Sequence, residues 1–125
     1  KITITLRKSY GGSHIVMGCK QLRADLNFAW PSSEIAVMGA SGAVAVLCAK
    51  ETKAKKEAGE DVKAFLAEKE DEYTEMFANP YQAAQYGYID DVIEPRNTRF
   101  ICRGLAQLAT KKQTLPAKKH GCMPM

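Results

Sequence analysis

Residues 1–17 read KITITLRKSYGGSHIVM and contain, in order, the parts of a strand–turn–helix unit. Polar and apolar residues alternate over the first seven positions, as they do in a strand with one buried face. A pair of glycines then lets the backbone turn sharply and approach a neighbour closely. Ser13 can cap the helix that follows. The apolar stripe of that helix would comprise Ile15, Val16, Cys19 and Leu22.

The same order recurs further along the chain. Residues 25–30 and 34–38 have the composition of short strands, and a Pro-Ser-Ser turn separates them. The small residues of 39–49 favour a helix that packs closely against a neighbour. Two strand–turn–helix units therefore precede residue 50, which indicates a mixed α/β fold.

Helices dominate the remainder of the sequence. Residues 61–78 have the periodicity of an amphipathic helix, and Gly59 separates them from an exposed helix end. A short helix over 81–86 and a strand over 88–93 follow, and Pro95 opens a last helix. We expect residues 113–125, which hold two prolines and a glycine, to form an irregular tail.

Composition indicates a single globular domain over residues 1–125, with a mass of 13.8 kDa. The sequence is 46% hydrophobic and 26% charged, and no stretch is apolar enough to span a membrane. A net charge of +4 suits an acidic small substrate and only weakly favours nucleic acid. Four scattered cysteines and two histidines indicate neither zinc nor disulfides, so we expect no metal and reduced thiols in a cytoplasmic protein.

Few residues have the pattern of side-chain catalysts. The common nucleophile, metal and phosphate-loop motifs are missing from the sequence. His14 could act as a base, but a lone histidine with no orienting partner is more often a surface or supporting residue. Asp90 and Asp91 are adjacent in an extended passage, so they point to opposite faces and cannot share one proton.

The backbone around Gly11-Gly12-Ser13 is the stronger candidate for chemistry. A strand that leads into a helix start leaves free N–H groups aimed at one point, which can hold an anion or a developing oxyanion. A simple tight turn is the alternative interpretation of the same residues. The chain also opens in mid-strand on Lys1, without a signal-like segment, so we expect that it has been cut from a longer protein.

Six blocks of sequence occur in order along the chain: RKSYGG (7–12), AWPS (29–32), EIAVMGA (34–40), FANPY (77–81), GYIDDVI (87–93) and PAKKHG (116–121). Together they resemble the beta-type carboxyltransferase subunits of biotin-dependent acyl-CoA carboxylases. This family includes propionyl-CoA carboxylase subunits and methylmalonyl-CoA carboxyltransferase and decarboxylase subunits. The resemblance implies a crotonase-like (ClpP/crotonase) spiral of ββα units, with this chain as the C-terminal carboxyltransferase domain of a two-domain subunit.

The resemblance also implies a reaction and a set of partners. Carboxylate would pass between carboxybiotin and the α-carbon of propionyl-CoA or methylmalonyl-CoA, with biotin carried on a partner domain or subunit. The partners implied are an N-terminal carboxyltransferase domain, the biotin carrier, other carboxylase subunits and further copies in a homo-oligomer. A cytoplasmic enzyme is implied, or one of the mitochondrial matrix in a eukaryote, and the fragment alone would be inactive.

By the same resemblance, Gly12 and Ser13 match backbone N–H donors that face biotin. Members of the family commonly have Ala where this chain has Ser13, and a main-chain donor survives that change. We expect Gly11 and Ile15 to lie on the substrate side of the same pocket. For Ile15, a position in the core is the alternative.

Two other functions remain open from the sequence. A crotonase-fold enzyme that acts on acyl-CoA without biotin is one, although the AWP and KKH blocks argue against it. A non-catalytic assembly module that uses its apolar faces to bind partner chains is the other.

Overall fold

The two units expected near the N-terminus are present, and each consists of two strands and a helix. The computed structural model describes residues 1–114 and residue 117. The first unit comprises β1 (Ile2–Thr5), β2 (Lys8–Tyr10) and α1 (Gly11–Val16). The second comprises β3 (Leu26–Ala29), β4 (Glu34–Ala36) and α2 (Ala40–Leu47).

Corresponding strands of the two units pair in parallel. β1 pairs with β3 from Ile2 opposite Leu26 to Thr5 opposite Ala29. β2 pairs with β4 in a separate two-stranded sheet. The short strand β5 (Asp91–Val92) extends the first sheet on the far side of β3. The second unit is therefore stacked on the first with the same order and direction, as a spiral of ββα units requires.

Four further helices cover the sheets. They are α3 (Ala49–Ala58), α4 (Val62–Phe77), α5 (Pro80–Gln85) and α6 (Phe100–Leu108). Asp61 caps α4 by accepting hydrogen bonds from the N–H groups of Lys63 and Ala64 at 3.0 and 3.2 Å. Gly59 ends α3 in a left-handed conformation, which glycine adopts without strain.

The first helix differs from the prediction at both ends. It begins at Gly11 rather than after a Ser13 cap, because β2 stays paired with β4 as far as Tyr10 and the chain turns at once. Ser13 lies inside the first turn, where its hydroxyl donates to the Tyr10 carbonyl at 2.6 Å. The helix ends at Val16, and a 3-10 turn (Lys20–Leu22) follows it. Of the predicted apolar stripe only Cys19 is buried.

The C-terminal elements are shorter than predicted. The strand expected over 88–93 is reduced to β5, because Gly87 and the first residues after it complete the end of α5: the Tyr88 N–H donates to the Ala83 carbonyl at 2.9 Å. Pro95 opens a 3-10 turn (Pro95–Asn97), not the last helix, which starts at Phe100. The tail predicted over 113–125 lies outside the described residues except at 113, 114 and 117.

The core lies between the second unit and α5. Its buried members are Ala29, Ile35, Ala83 and Ile89. On the other face of the sheet, α6 packs through Gly104, whose added Cβ would lie 2.8 Å from Leu26 and 3.1 Å from Ile2. Among the helices described here, none has both the length and the apolar character to cross a bilayer.

Candidate functional site

An open apolar groove of about 850 Å3 lies beside α1. Its walls come from α1, β4, the end of α4 and α5, so residues far apart in sequence meet there. The side chains that line it include neither Asp, Glu, Lys nor Arg. All four predicted site residues, Gly11, Gly12, Ser13 and Ile15, lie on α1, and two of them, Gly11 and Ile15, line this groove.

Gly11 is required by the geometry of that helix start. Its φ is +52°, a left-handed conformation, and an added Cβ would lie 2.8 Å from the Val37 carbonyl oxygen. Only glycine lets β2 turn into α1 while the backbone of Val37 passes this close. Gly11 itself lines the groove.

Gly12 and Ser13 occupy the first turn of α1, where N–H groups have no partner within the helix. Outside regular helices and strands, no backbone hydrogen bond among residues 1–114 uses either N–H as donor. A Cβ added to Gly12 would meet nothing within 4 Å, so open space surrounds this position. Both residues are exposed, and their neighbours along the chain, Gly11 and His14, line the groove.

Ile15 lies on the groove side of α1. Its side chain is 48% exposed and contributes to the groove wall. Ile15 is not among the buried core residues of this chain. Val37 and Leu47 line the same groove and are still more exposed, at 78% and 71%.

His14 has the orienting partner that the sequence did not reveal. Its Nδ1 lies 2.9 Å from the Ser9 hydroxyl, so the hydrogen bond joins the first turns of α1 to β2. The ring also lines the groove. Burial lowers the pKa of His14 from its usual value, which favours the uncharged imidazole at neutral pH.

An aromatic wall faces α1 across the groove, and sequence reasoning missed it. Tyr73 and Phe77 pack with ring centroids 5.4 Å apart, and Tyr86 and Tyr88 stack at 6.0 Å. All four line the groove. The aromatic spacing on α4 and the Tyr-Gly-Tyr sequence were the available signals, but nothing local indicated that they would face α1.

A second, polar cavity of about 310 Å3 lies on the other side of β2. The Tyr10 hydroxyl donates to Glu34 there, and Lys8 lies 3.7 Å from the same carboxylate. Burial and the bond to Glu34 raise the pKa of Tyr10 to about 12. This cluster fixes the pairing of β2 with β4 just before the chain enters the site.

The two adjacent aspartates have separate structural roles. Asp90 accepts from the Asn27 N–H at 2.9 Å and pairs with Lys20, whereas Asp91 accepts from the N–H of Val92 at 2.8 Å. They do not form a carboxylate pair in the groove. Within the part of the chain that the structure describes, no group of three or more His, Cys, Asp or Glu could hold a metal ion.

Comparison with known families places this geometry in context. The family described as the carboxyl transferase domain matches residues 1–123. The chain belongs to this family. Its fold is the crotonase-like carboxyltransferase fold, which confirms the ββα spiral expected from the sequence.

Members of the family are identical to this chain at about half of the aligned positions. The methylmalonyl-CoA carboxyltransferase 12S subunit of Propionibacterium freudenreichii subsp. shermanii is 53% identical over 125 residues, which are 99% of this chain and 23% of that protein. The propionyl-CoA carboxylase beta chain of Saccharopolyspora erythraea is 49% identical over the same shares. This carboxyl transferase chain therefore spans about a quarter of the length of the relatives it matches.

Solved structures of family members superpose over the whole chain. The transcarboxylase 12S crystal structure with methylmalonyl-coenzyme A and methylmalonic acid bound has a TM-score of 0.82 at 52% identity, and covers 100% of this chain and 24% of that one. The beta subunit of geranyl-CoA carboxylase from P. aeruginosa has a TM-score of 0.66 at 26% identity over 97% of this chain and 23% of that one.

Proposed function

We propose that this carboxyl transferase domain is part of an enzyme that transfers carboxylate between carboxybiotin and the α-carbon of propionyl-CoA or methylmalonyl-CoA. The observation that carries the proposal is the start of α1, where the Gly12 and Ser13 N–H groups have no partner within the helix and lie between Gly11 and His14, two residues that line the apolar groove. The names of the relatives support the same reaction. Neither alternative, a biotin-independent acyl-CoA enzyme or an assembly module, has a specific observation in its favour.

The surroundings of α1 are suitable for biotin. The open space next to Gly12 leaves room for a planar ring system beside the helix, and the two N–H groups are donors for a ureido oxygen. Biotin, carried on a partner domain or subunit, would supply the nitrogen that carries the carboxylate. Gly12 and Ser13 would bind and orient the ureido group, and fixed donors of this kind contribute roughly 3 to 4 kcal/mol each when charge develops on oxygen.

The apolar walls of the groove are suitable for the acyl end of an acyl-CoA. Gly11 allows the backbone to come close to the ligand, and Ile15 offers a branched apolar surface to a substituent on the α-carbon. Selection of the acyl group would then depend on shape, at about 1 to 3 kcal/mol per methylene.

The rest of the site would come from other chains or domains. The chain covers about a quarter of its relatives, and large apolar side chains at the groove rim are exposed, which suits an N-terminal carboxyltransferase domain of a neighbouring subunit in a homo-oligomer. A biotin carrier and other carboxylase subunits complete the proposed set of partners. We propose a cytoplasmic enzyme, or one of the mitochondrial matrix in a eukaryote.

A pair of substitutions at Ser13 tests the backbone donor. Ser13→Pro removes the N–H, and the first turn of a helix tolerates proline because this N–H has no helical partner. Ser13→Ala keeps the N–H and removes only the hydroxyl. In the full-length enzyme, with methylmalonyl-CoA and free biotin as substrates, Ser13→Pro should lower kcat by about 100- to 1,000-fold, and Ser13→Ala should stay near wild type.

Circular dichroism and the melting temperature of both variants provide the control for folding. A folded Ser13→Pro enzyme with the wild-type kcat would contradict the assignment of the Ser13 N–H. Full-length protein that shows no turnover of acyl-CoA with biotin under any condition would contradict the proposed reaction itself.

A further inference from the structure

The hydrogen bond between Ser9 and His14 leaves one ring nitrogen of His14 free to serve the groove. Nδ1 is held by the Ser9 hydroxyl at 2.9 Å. No other hydrogen bond of the Ser9 hydroxyl or of the imidazole occurs among the described residues. Nε2 is therefore the polar atom that His14 can offer to a molecule in the groove, whose lining includes the ring.

The same bond has two forms, which differ in the ring atom that carries the proton. Either Nδ1–H donates to the Ser9 oxygen, or the Ser9 hydroxyl donates to Nδ1. A neutral imidazole that accepts at Nδ1 carries its own proton on Nε2. In this second form His14 presents an uncharged N–H donor at Nε2.

The electrostatics around the ring keep it uncharged. The groove is lined without carboxylates or ammonium groups that would stabilise or repel an imidazolium. Two elements that pack against α1 carry a charged side chain each, Lys8 on β2 and Lys20 on the 3-10 turn, and these pair with Glu34 and Asp90. Burial, which lowers the pKa of His14, acts in the same direction.

We propose that His14 binds a carbonyl oxygen of the ligand in the groove by donating from Nε2, and that Ser9 is the positioning residue for the ring. This inference rests on the proposed function, because the carbonyl would belong to the ureido group of biotin or to the thioester of the acyl-CoA. His14 follows Gly12 and Ser13 directly on α1. It would add a side-chain donor to the two backbone donors, in a groove otherwise dominated by apolar side chains.

The experiment uses four variants of the full-length enzyme, assayed with methylmalonyl-CoA and free biotin. His14→Phe keeps a flat ring and removes the donor, whereas His14→Gln keeps a terminal N–H donor. Ser9→Ala removes the positioning bond. Ser32→Ala, at an exposed turn residue away from the groove, is the matched control for the loss of a hydroxyl.

We expect His14→Phe to lower kcat/KM by about 10- to 100-fold for one of the two substrates, with little change in melting temperature. His14→Gln should recover part of that loss, and Ser9→Ala should cost several-fold. Ser32→Ala should match the wild type. A fall confined to kcat/KM for biotin assigns the ureido carbonyl, and a fall confined to the acyl-CoA assigns the thioester.

Several results would overturn the inference. A folded His14→Phe enzyme with wild-type kcat/KM for both substrates would show that His14 does not contact the ligand. Equal losses of kcat/KM in His14→Phe and His14→Gln would show that His14 acts through packing and not as a hydrogen-bond donor. Should His14→Phe fail to fold, a folded Ser9→Ala enzyme with wild-type kcat/KM for both substrates would overturn the inference in its place. Wild-type protein without any turnover would instead refute the proposed function, and so the two failures are distinguishable.

Discussion

Substituting alanine at each of two adjacent glycines should separate the fold of the site from its chemistry. At Gly11, alanine must adopt a φ of +52°, and its Cβ would lie 2.8 Å from the carbonyl oxygen of Val37. The left-handed conformation costs roughly 1 to 2 kcal/mol for a residue with a Cβ. Moving the backbone of β4 away from the clash adds about 1 to 3 kcal/mol, which is the usual cost of overpacking.

At Gly12, the same substitution should behave in the opposite way. The backbone there does not have positive φ, and a Cβ would meet nothing within 4 Å. Alanine within a helix is favoured over glycine by up to about 1 kcal/mol. The fold should therefore be as stable as the wild type or slightly more stable, while the new methyl group enters the space proposed for biotin.

The assay is thermal unfolding of both variants in the full-length subunit, together with kcat/KM for free biotin. We expect Gly11→Ala to lower the melting temperature by a few degrees, because a loss of about 2 to 5 kcal/mol shifts it less in a large subunit than in a small domain. Gly12→Ala should keep the melting temperature and lower kcat/KM for biotin by at least about tenfold. Equal melting temperatures for the two variants would refute the assignment of strain at Gly11, and full activity of Gly12→Ala would refute the proposed ligand position.

Three further predictions concern selectivity, pH and completeness. Ile15→Asp in the full-length enzyme should change the ratio of kcat/KM among acetyl-, propionyl- and butyryl-CoA, because the side chain lines the groove. The melting temperature should stay near that of the wild type, because the residue is half exposed. An unchanged ratio would exclude Ile15 from the pocket. The hydrogen bond from Lys111 lowers the pKa of Asp25 from its usual value near 4, so the stability that Asp25 contributes is present above that value and is lost as pH falls below it. The free energy of unfolding measured in urea should therefore depend less on pH below about 4 for Asp25→Asn than for the wild type. An equal pH dependence of the two proteins would contradict the interaction of Asp25 with Lys111. The 125-residue chain alone should not turn over propionyl-CoA or methylmalonyl-CoA with biotin, and measurable turnover would contradict this expectation. It should also self-associate through its exposed apolar surface, and a clean monomer in sedimentation at tens of micromolar would contradict that.

Local patterns predicted the elements of this fold better than their ends. Alternation placed β1 and β3, and the helical period placed α4, because each depends on residues close together in sequence. The start of α1 was predicted at Ser13 because a serine caps helices, but pairing between β2 and β4 extends the strand to Tyr10. That pairing joins two separate units, so no local pattern could reveal it.

In the site, too, sequence patterns predicted the features that depend on neighbouring residues and missed those that depend on tertiary packing. The Gly-Gly-Ser segment was recognisable, since the two glycines and the helix start are contiguous, although the roles of Gly12 and Ser13 came from family resemblance. The partner of His14 was not recognised, because Ser9 lies on a strand that was expected to be part of a turn. The aromatic wall needs α4 and α5 to meet α1, which is decided by tertiary packing alone.

The position of β3 has a consequence for the order of folding. β3 is the middle strand of its sheet, so both β1 and β5 take their register from it. β1 belongs to the unit that directly precedes β3, whereas four helices separate β3 from β5. Because contacts that close long loops form late, β1 should pair with β3 before β5 does. Pulse-labelled hydrogen exchange during refolding should therefore protect the Leu26 N–H, which bonds to the Lys1 carbonyl, before the Ile93 N–H, which bonds to Ala29. Simultaneous protection of the two amides would mean that the sheet forms in one step. The aromatic wall of the groove, which precedes β5 in the chain, would then pack at the same time as the strands that hold α1.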